Sequence, residues 1–155
     1  MPTGYQASFE PAMRAALAEA RAALDSGDVP VGAVILDASG TVIARGRNRR
    51  EADGDPTAHA EIVAIRAAAR SVGEWRLDGL TLVVTLEPCT MCAGAITAAR
   101  LSRVVFGAAD PRAGAIGSLW DVVRDQRLAP VPEVIGDVLA DECLNVIRRF
   151  FSEHR

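Results

Sequence analysis

Leu80-Thr-Leu-Val-Val-Thr-Leu86 is an uncharged run rich in aliphatic and β-branched residues, stopped at once by Glu87 and Pro88. A stretch that apolar has no face to offer water, so it predicts a strand in the middle of a sheet, covered on both sides. The rest of the chain must supply the covers. Met13, Leu17, Ala20 and Leu24 recur at helical spacing, which predicts an amphipathic helix over about 8–26. Val31 to Leu36 reads as a second buried strand, and Asp37-Ala-Ser-Gly40 turns it into a third from Thr41 to Arg45. The polar residues 45–55 read as loop. A helix follows from about Ala58 to Arg70, with Pro56 and Thr57 as start signals and Ile62, Ile65 and Ala69 facing inward. Pro88 opens a small-residue helix to about Arg100, and Arg103 to Gly107 is the next strand. A loop over 108–117, a short helix near 118–123 and a short strand at Val134 and Ile135 come next. The last helix starts near Val138, with Leu139, Cys143, Ile147 and Phe150 on one face. Strands alternating with helices predict an α/β fold: a three-layer αβα sandwich around a central five-stranded mixed sheet. At 155 residues, one domain over 1–155 is expected.

Composition narrows the chemistry. The chain has 17 basic and 20 acidic residues, a net charge of −3, which argues against nucleic-acid binding by bulk positive charge but not against a local patch. Every basic residue is arginine. Without lysine there is no Walker A loop, no Schiff-base lysine and no pyridoxal-phosphate site. Only two histidines occur, and His154 is next to the last residue, where fraying is expected. Any chemistry that needs imidazole therefore falls to His59. Three cysteines, two of them in a C-x-x-C, suit an intracellular metal or redox site better than a secreted disulfide framework. An N-terminal segment that contains acids and no signal-type apolar run, together with the lack of an apolar stretch of membrane length, predicts a soluble, cytoplasmic protein with no membrane partner.

Two short segments carry the chemistry: His59-Ala-Glu61 and Pro88-Cys89-Thr-Met-Cys92. Both fall at expected helix starts. Side chains in a first helical turn tilt back toward the N-terminus, so two facing helix ends can converge one imidazole nitrogen and two thiolates on a point. The positive helix ends also favour thiolate over thiol. One nitrogen and two sulfurs are a zinc set with a fourth position open, where a water molecule loses its proton near neutral pH. Glu61, close by and not needed as a ligand, is then the proton carrier. A C-x-x-C alone also fits a redox pair, and a lone His-x-Glu carries no weight. Together, with Pro88 before the first cysteine, they point to one Zn2+ per subunit.

Other motifs are weighed against plainer readings. Cys143 sits on the apolar stripe of the last helix and reads as a buried small hydrophobe. Asp53-Gly-Asp55 resembles the start of a calcium loop, but the twelfth position is Ala64 rather than Glu, and it is rejected. Arg45, Arg47, Arg49 and Arg50 are either a solvated loop or a phosphate-contacting edge.

These residues resemble the bacterial tRNA-specific adenosine deaminases, a family of the cytidine-deaminase-like superfamily. The H-x-E…P-C-x-x-C pattern is the signature of zinc nucleobase deaminases, but it marks only the superfamily. Further similarity lies in Val29-Pro-Val-Gly-Ala33, Asp55 to Glu61, Thr85 to Ala95, Val104-Val-Phe-Gly-Ala108, Gly117-Ser-Leu119 and Leu139 to Cys143. Thr85-Leu-Glu before Pro88, the Phe106-Gly-Ala segment and the Phe150-Phe151 ending are more selective for the tRNA enzymes. The resemblance implies a cytidine-deaminase-like fold and conversion of adenosine to inosine at the wobble position of an arginine tRNA anticodon. It also implies a homodimer with RNA near the subunit interface. It assigns Asn48 to the bound nucleotide, the backbone of Ala60 to the attacked carbon and Asp110 to a flanking nucleotide. Ala109 stands where relatives often carry a basic residue, and the chain ends soon after Phe151, where many add a basic tail. Both differences lower the expected RNA electrostatics. The alternatives are a deaminase of a free base or nucleoside, such as guanine or cytosine, and a catalytically silent zinc-stabilised RNA-binding subunit. Glu61 argues against the silent subunit, since a structural zinc site needs no proton carrier.

Overall fold

A five-stranded sheet divides the protein into two cores. In the computed structural model, which describes residues 2–154, the strands are β1 Gly32–Leu36, β2 Val42–Arg47, β3 Thr81–Leu86, β4 Arg103–Ala108 and β5 Glu133–Ile135. Their order across the sheet is β2-β1-β3-β4-β5. β1 runs antiparallel to β2 and β3, whereas β3, β4 and β5 are parallel. The helices are α1 Gly4–Ala7, α2 Glu10–Ala22, α3 Arg50–Asp53, α4 Ala60–Val72, α5 Thr90–Ala98 and α6 Ala140–Glu153. No helix among the described residues is long and apolar enough to cross a membrane.

Side chains alternate across a pleated strand, and β3 uses the alternation to feed both cores. Leu82 and Val84 join Ala33, Ile35 and Val104 under α4 and α5. Val83 joins Val34, Val105, Met13, Leu17 and Cys143 under α2 and α6. The unbroken apolar run is thus two half-strands of core, one for each face. The expected αβα sandwich with a five-stranded mixed sheet is the observed architecture.

Several local expectations change. β2 continues to Arg47, and 50–53 is a helical turn rather than loop. That turn is held from a distance, because Asp28 accepts the N–H groups of Glu51 at 2.6 Å and Ala52 at 3.2 Å. α4 starts at Ala60, two residues later than expected. Pro56 and Thr57 belong instead to a turn in which Asp55 accepts the Thr57 N–H and hydroxyl. The inward face of α4 is Ala60, Glu61, Ala64 and Ala68, while Ile62, Ile65 and Ala69 are half-buried beside it. No helix forms at 118–123; that stretch is turns closed by a bridge between Ile116 and Asp121. α6 begins only at Ala140, because Leu139 is left-handed at φ 51°. The unexpected α1 is closed by a reciprocal cap between Thr3 and Gln6. His154 is not frayed: its ring stacks on Phe150 at 4.1 Å and its Nδ1 lies 2.7 Å from the Phe150 carbonyl.

The small inward residues of α4 have a structural cause. Gly46 of β2 faces the first turn of this helix, and a Cβ there would collide with the Ala60 carbonyl and come within 2.6 Å of the Ala64 nitrogen. Backbone meets backbone, which only glycine opposite alanine allows. Gly32 makes the same approach to α2 on the other face. Gly46→Ala should push α4 off the sheet at a cost of about 1–3 kcal/mol. Thermal denaturation should show a melting temperature lower by roughly 3–10 °C.

Candidate metal centre and cavity

His59 and Cys89 each occupy the residue just before a helix, His59 before α4 and Cys89 before α5. Both have extended backbone, and neither side chain caps its own helix. Residues at this position ordinarily fold their side chains back onto the first-turn N–H groups. These two point away instead. Cys92, in the first turn of α5, completes the group. His59 Nδ1 lies 3.6 Å from Cys89 Sγ and 3.5 Å from Cys92 Sγ, and the three donor atoms all fall within 4.8 Å of one another. A tetrahedral zinc with ordinary Zn–N and Zn–S bonds sets nitrogen and sulfur about 3.6 Å apart. The donor spacing therefore fits zinc, and the set leaves one coordination position to be filled from the cavity.

Charge in the group is set by the close approach of the three donors. The hydrogen bond from Cys92, helped by His59, draws the Cys89 thiol down to about 3. Donating to that thiolate raises Cys92, and burial and Glu61 add to the rise. The interaction with Cys89 raises His59 despite its burial, and nearby Glu61 adds to this. A dication exchanging for these protons leaves both sulfurs as thiolates. Glu61 sits on the buried face of α4, and loss of water raises its carboxyl.

A cavity of about 180 Å³ opens over these residues. His59, Glu61 and Cys89 line it, and so do Asn48, Ala60 and Asp110. Sites for drug-sized ligands run to about 300–1,000 Å³, so this one suits a single flat base. Asn48 is only 7 % exposed. Its Nδ2 donates to the Val29 carbonyl at 3.2 Å and its Oδ1 accepts the Arg50 N–H at 3.2 Å, which leaves one amide hydrogen for a ligand. Of the four clustered arginines, Arg50 reaches the cavity and Arg49 is paired with Asp53 at 2.9 Å, while Arg45 and Arg47 lie on the edge strand β2. Cys143 lies apart on the opposite face of the sheet, where burial pushes its thiol up to about 12.

A trough of about 710 Å³ adjoins the cavity, sharing Val29, Leu86 and Asp110 with it and running out past Arg112, Arg148 and Phe151. Two buried acids of this region, Asp28 and Glu87, have no role assigned from sequence, Glu87 standing there only as part of the family-selective Thr85-Leu-Glu. The available signal is their position: Asp28 a few residues before the apolar strand β1 and Glu87 directly after the apolar strand β3.

Residues 7–108 match the cytidine and deoxycytidylate deaminase zinc-binding region. The chain is 45% identical over 143 residues to the tRNA-specific adenosine deaminase of Bacillus subtilis, across 92% of this chain and 88% of that one. A solved structure from work on A-to-I editing by tRNA:A34 deaminases at the wobble position of transfer RNA is 43% identical. Its TM-score is 0.83, over 88% of this chain and 98% of that chain. The guanine deaminase from Nitrosomonas europaea is also similar, with TM-score 0.75 and 29% identity over 92% of this chain and 84% of that one.

Because metal binding and folding are coupled, His59→Ala, Cys89→Ala and Cys92→Ala should each lower metal content and yield of soluble protein. Elemental analysis of the purified chain should find one zinc per chain before substitution and a clear deficit after it.

Proposed function

We propose that this chain, which belongs to the cytidine and deoxycytidylate deaminase family and within it to the tRNA-specific adenosine deaminases, hydrolyses adenosine to inosine at the wobble position of a tRNA anticodon. Two observations support the assignment: the chemistry of the donor set, and the way a cavity sized for one base opens into a longer trough that carries Arg112 and Arg148. A free base needs only the cavity. A nucleotide within RNA needs the cavity for one base and the trough for its neighbours.

In the reaction a bond forms between water oxygen and C6 of the purine, and the bond from C6 to the amino nitrogen breaks, releasing ammonia. Zinc held by His59, Cys89 and Cys92 supplies Lewis acidity that makes water nucleophilic near neutral pH. Glu61 takes a proton from that water and delivers protons to the purine ring nitrogen and to the leaving amine. Ala60 begins a helix, so its N–H has no intrahelical acceptor and is a donor for the base. The spare amide hydrogen of Asn48 is a second donor, and Asp110 meets the neighbouring nucleotide where cavity and trough join. Phe151 is an aromatic surface on which an unstacked base can lie, and Arg112 and Arg148 suit phosphates. An anticodon loop presents such splayed bases, so the enzyme need not open a duplex. The arginine tRNA is the substrate that the family likeness favours. The cytoplasm is the compartment we assign, since tRNA and reduced thiols occur there together.

A homodimer is part of the proposal. The outer face of α5 carries the small exposed residues Gly94 and Ala98, with Leu119 and Trp120 also exposed. Such surfaces suit close packing against a second copy. Light scattering at micromolar concentration should give about twice the chain mass of 16.4 kDa.

The substrate is tested by ammonia release from an anticodon stem-loop with adenosine at the wobble position, set beside free adenosine, guanine and cytosine. The stem-loop should react and the free compounds should not, because contacts outside the ring place the base. Fast consumption of guanine or cytosine with an untouched stem-loop would transfer the assignment to a free-base deaminase. Glu61→Ala should keep its zinc and its fold while turnover falls by on the order of 10²–10⁴.

A further inference from the structure

Glu87 is a buried acid that takes no part in the reaction just derived. It follows the last residue of β3 and stands two residues before Cys89, only 3 % exposed. Its two oxygens accept four hydrogen bonds, all from one stretch of chain: the N–H groups of Asp110 at 3.0 Å, Ile116 at 3.1 Å and Ser118 at 3.0 Å, and the Ser118 hydroxyl. Gly114 lies against the same carboxylate, and a Cβ there would come to 2.5 Å from Oε1. A carboxylate has about four acceptor positions, so this one is saturated and has nothing left for a ligand.

The stretch it holds is part of the connection 109–132 between β4 and β5. Among the described residues, its only regular helix is the 3₁₀ turn Gln126–Leu128. Connections of this length without structure of their own are usually functional. Here the near end forms one wall of the cavity, through Asp110 and Ala113. One oxygen of Asp110, Oδ1, accepts the N–H groups of Arg112 at 3.0 Å and Ala113 at 3.3 Å, which leaves the other for a ligand without fixing the wall to the sheet. Neither strand nor helix fixes this wall; beside the clamp the backbone adds a bond within the turn, from the Gly114 N–H to the Asp110 carbonyl at 2.8 Å, and one to the metal-bearing segment, from the Ala115 N–H to the Pro88 carbonyl at 2.8 Å. The far part is secured separately by Ala115, Ile116 and Val123, buried in the core beneath α4 and α5.

We infer that Glu87 is a positioning residue for the deaminase site: its carboxylate clamps the turn 110–118 onto the end of β3 and so fixes the wall carrying Asp110 and Ala113 relative to the metal donor Cys89. The inference rests on the deaminase reading of the cavity. Pro88 alone separates clamp from metal ligand, so wall and metal share one rigid origin. A neutral amide cannot substitute, because its NH2 would face N–H donors. The clamp acts on where the base is held, not on bond making.

The test uses Glu87→Gln, Glu87→Asp and Ser118→Ala in the full-length zinc protein. Hydrogen exchange in Glu87→Gln should be faster by about tenfold or more at the amides of 110, 116 and 118, with β3 and α5 unchanged. Zinc should stay at one per chain. With the stem-loop, KM should rise by about tenfold or more while kcat stays within about threefold. Glu87→Asp keeps the charge and should recover part of the loss. Ser118→Ala removes one donor from a surface residue and should shift exchange and KM the same way by less; it carries the test should Glu87→Gln not fold. Unchanged exchange at the three amides overturns the clamp, and so does a fall in kcat with KM unaltered. If the stem-loop is not a substrate of the unaltered protein but the amides still loosen, the substrate assignment fails and the clamp stands.

Discussion

The metal centre depends on how close α4 lies to the sheet. Gly46 admits the first turn of that helix to backbone contact, and this turn carries Glu61 with His59 directly before it. α5 is placed independently, because Glu87, Pro88 and Cys89 lead directly from the end of β3 into its first turn. Two elements located by unrelated means thus bring a nitrogen and two sulfurs to 3.5–3.6 Å. The tolerance at a metal site is a few tenths of an ångström. A glycine on an edge strand, packed against the backbone of Ala60 between His59 and Glu61, is what keeps the helix within it.

Three buried carboxylates surround the cavity and their settings divide them. Burial would raise Asp28 and Glu87, but hydroxyl and backbone donors outweigh it and hold both below the ordinary range. They are permanent anions that organise loops on opposite sides: Asp28 the turn beside Asn48 and Arg50, Glu87 the turn beside Asp110. Burial also acts first on Glu61, and there the opposing contacts do not cancel it, so its carboxyl is raised. An acid rich in N–H donors serves as an anchor; one lacking them is free to exchange a proton. The same side chain performs either task according to what surrounds it.

How much was legible in the sequence follows from the range of the forces involved. The apolar run 80–86 announced a central strand because a doubly covered strand must be apolar throughout. The zinc donors were legible because their spacing is set within a single helical turn. The late start of α4 was not, since His59 fills the place where a capping residue would stand and does not cap. α3 was missed because its partner Asp28 lies more than twenty residues away in sequence. The stretch 118–123 forms no helix for a like reason: its Ser118 N–H goes to Glu87 and those of Leu119, Trp120 and Val122 go to the Gly114 and Ala115 carbonyls, and local propensity gives no sign of that. Residue size points to Ile62, Ile65 and Ala69 as the inward stripe of α4; Ile65 and Ala69 do pack against the core, but the contact with Gly46 puts alanine at the centre of the stripe.

The position of Cys143 has a practical side. Its sulfur is buried against Gly107 between α6 and the sheet, and its high pKa keeps it a thiol. Alkylating reagents attack thiolates they can reach, so this residue is silent in the folded protein. The other two sulfurs are those that hold the metal. With Cys92 buried and its thiol raised, Cys89 is the half-buried, low-pKa sulfur that a reagent meets when the ion is gone, so labelling of the native chain at Cys89 becomes a gauge of zinc occupancy.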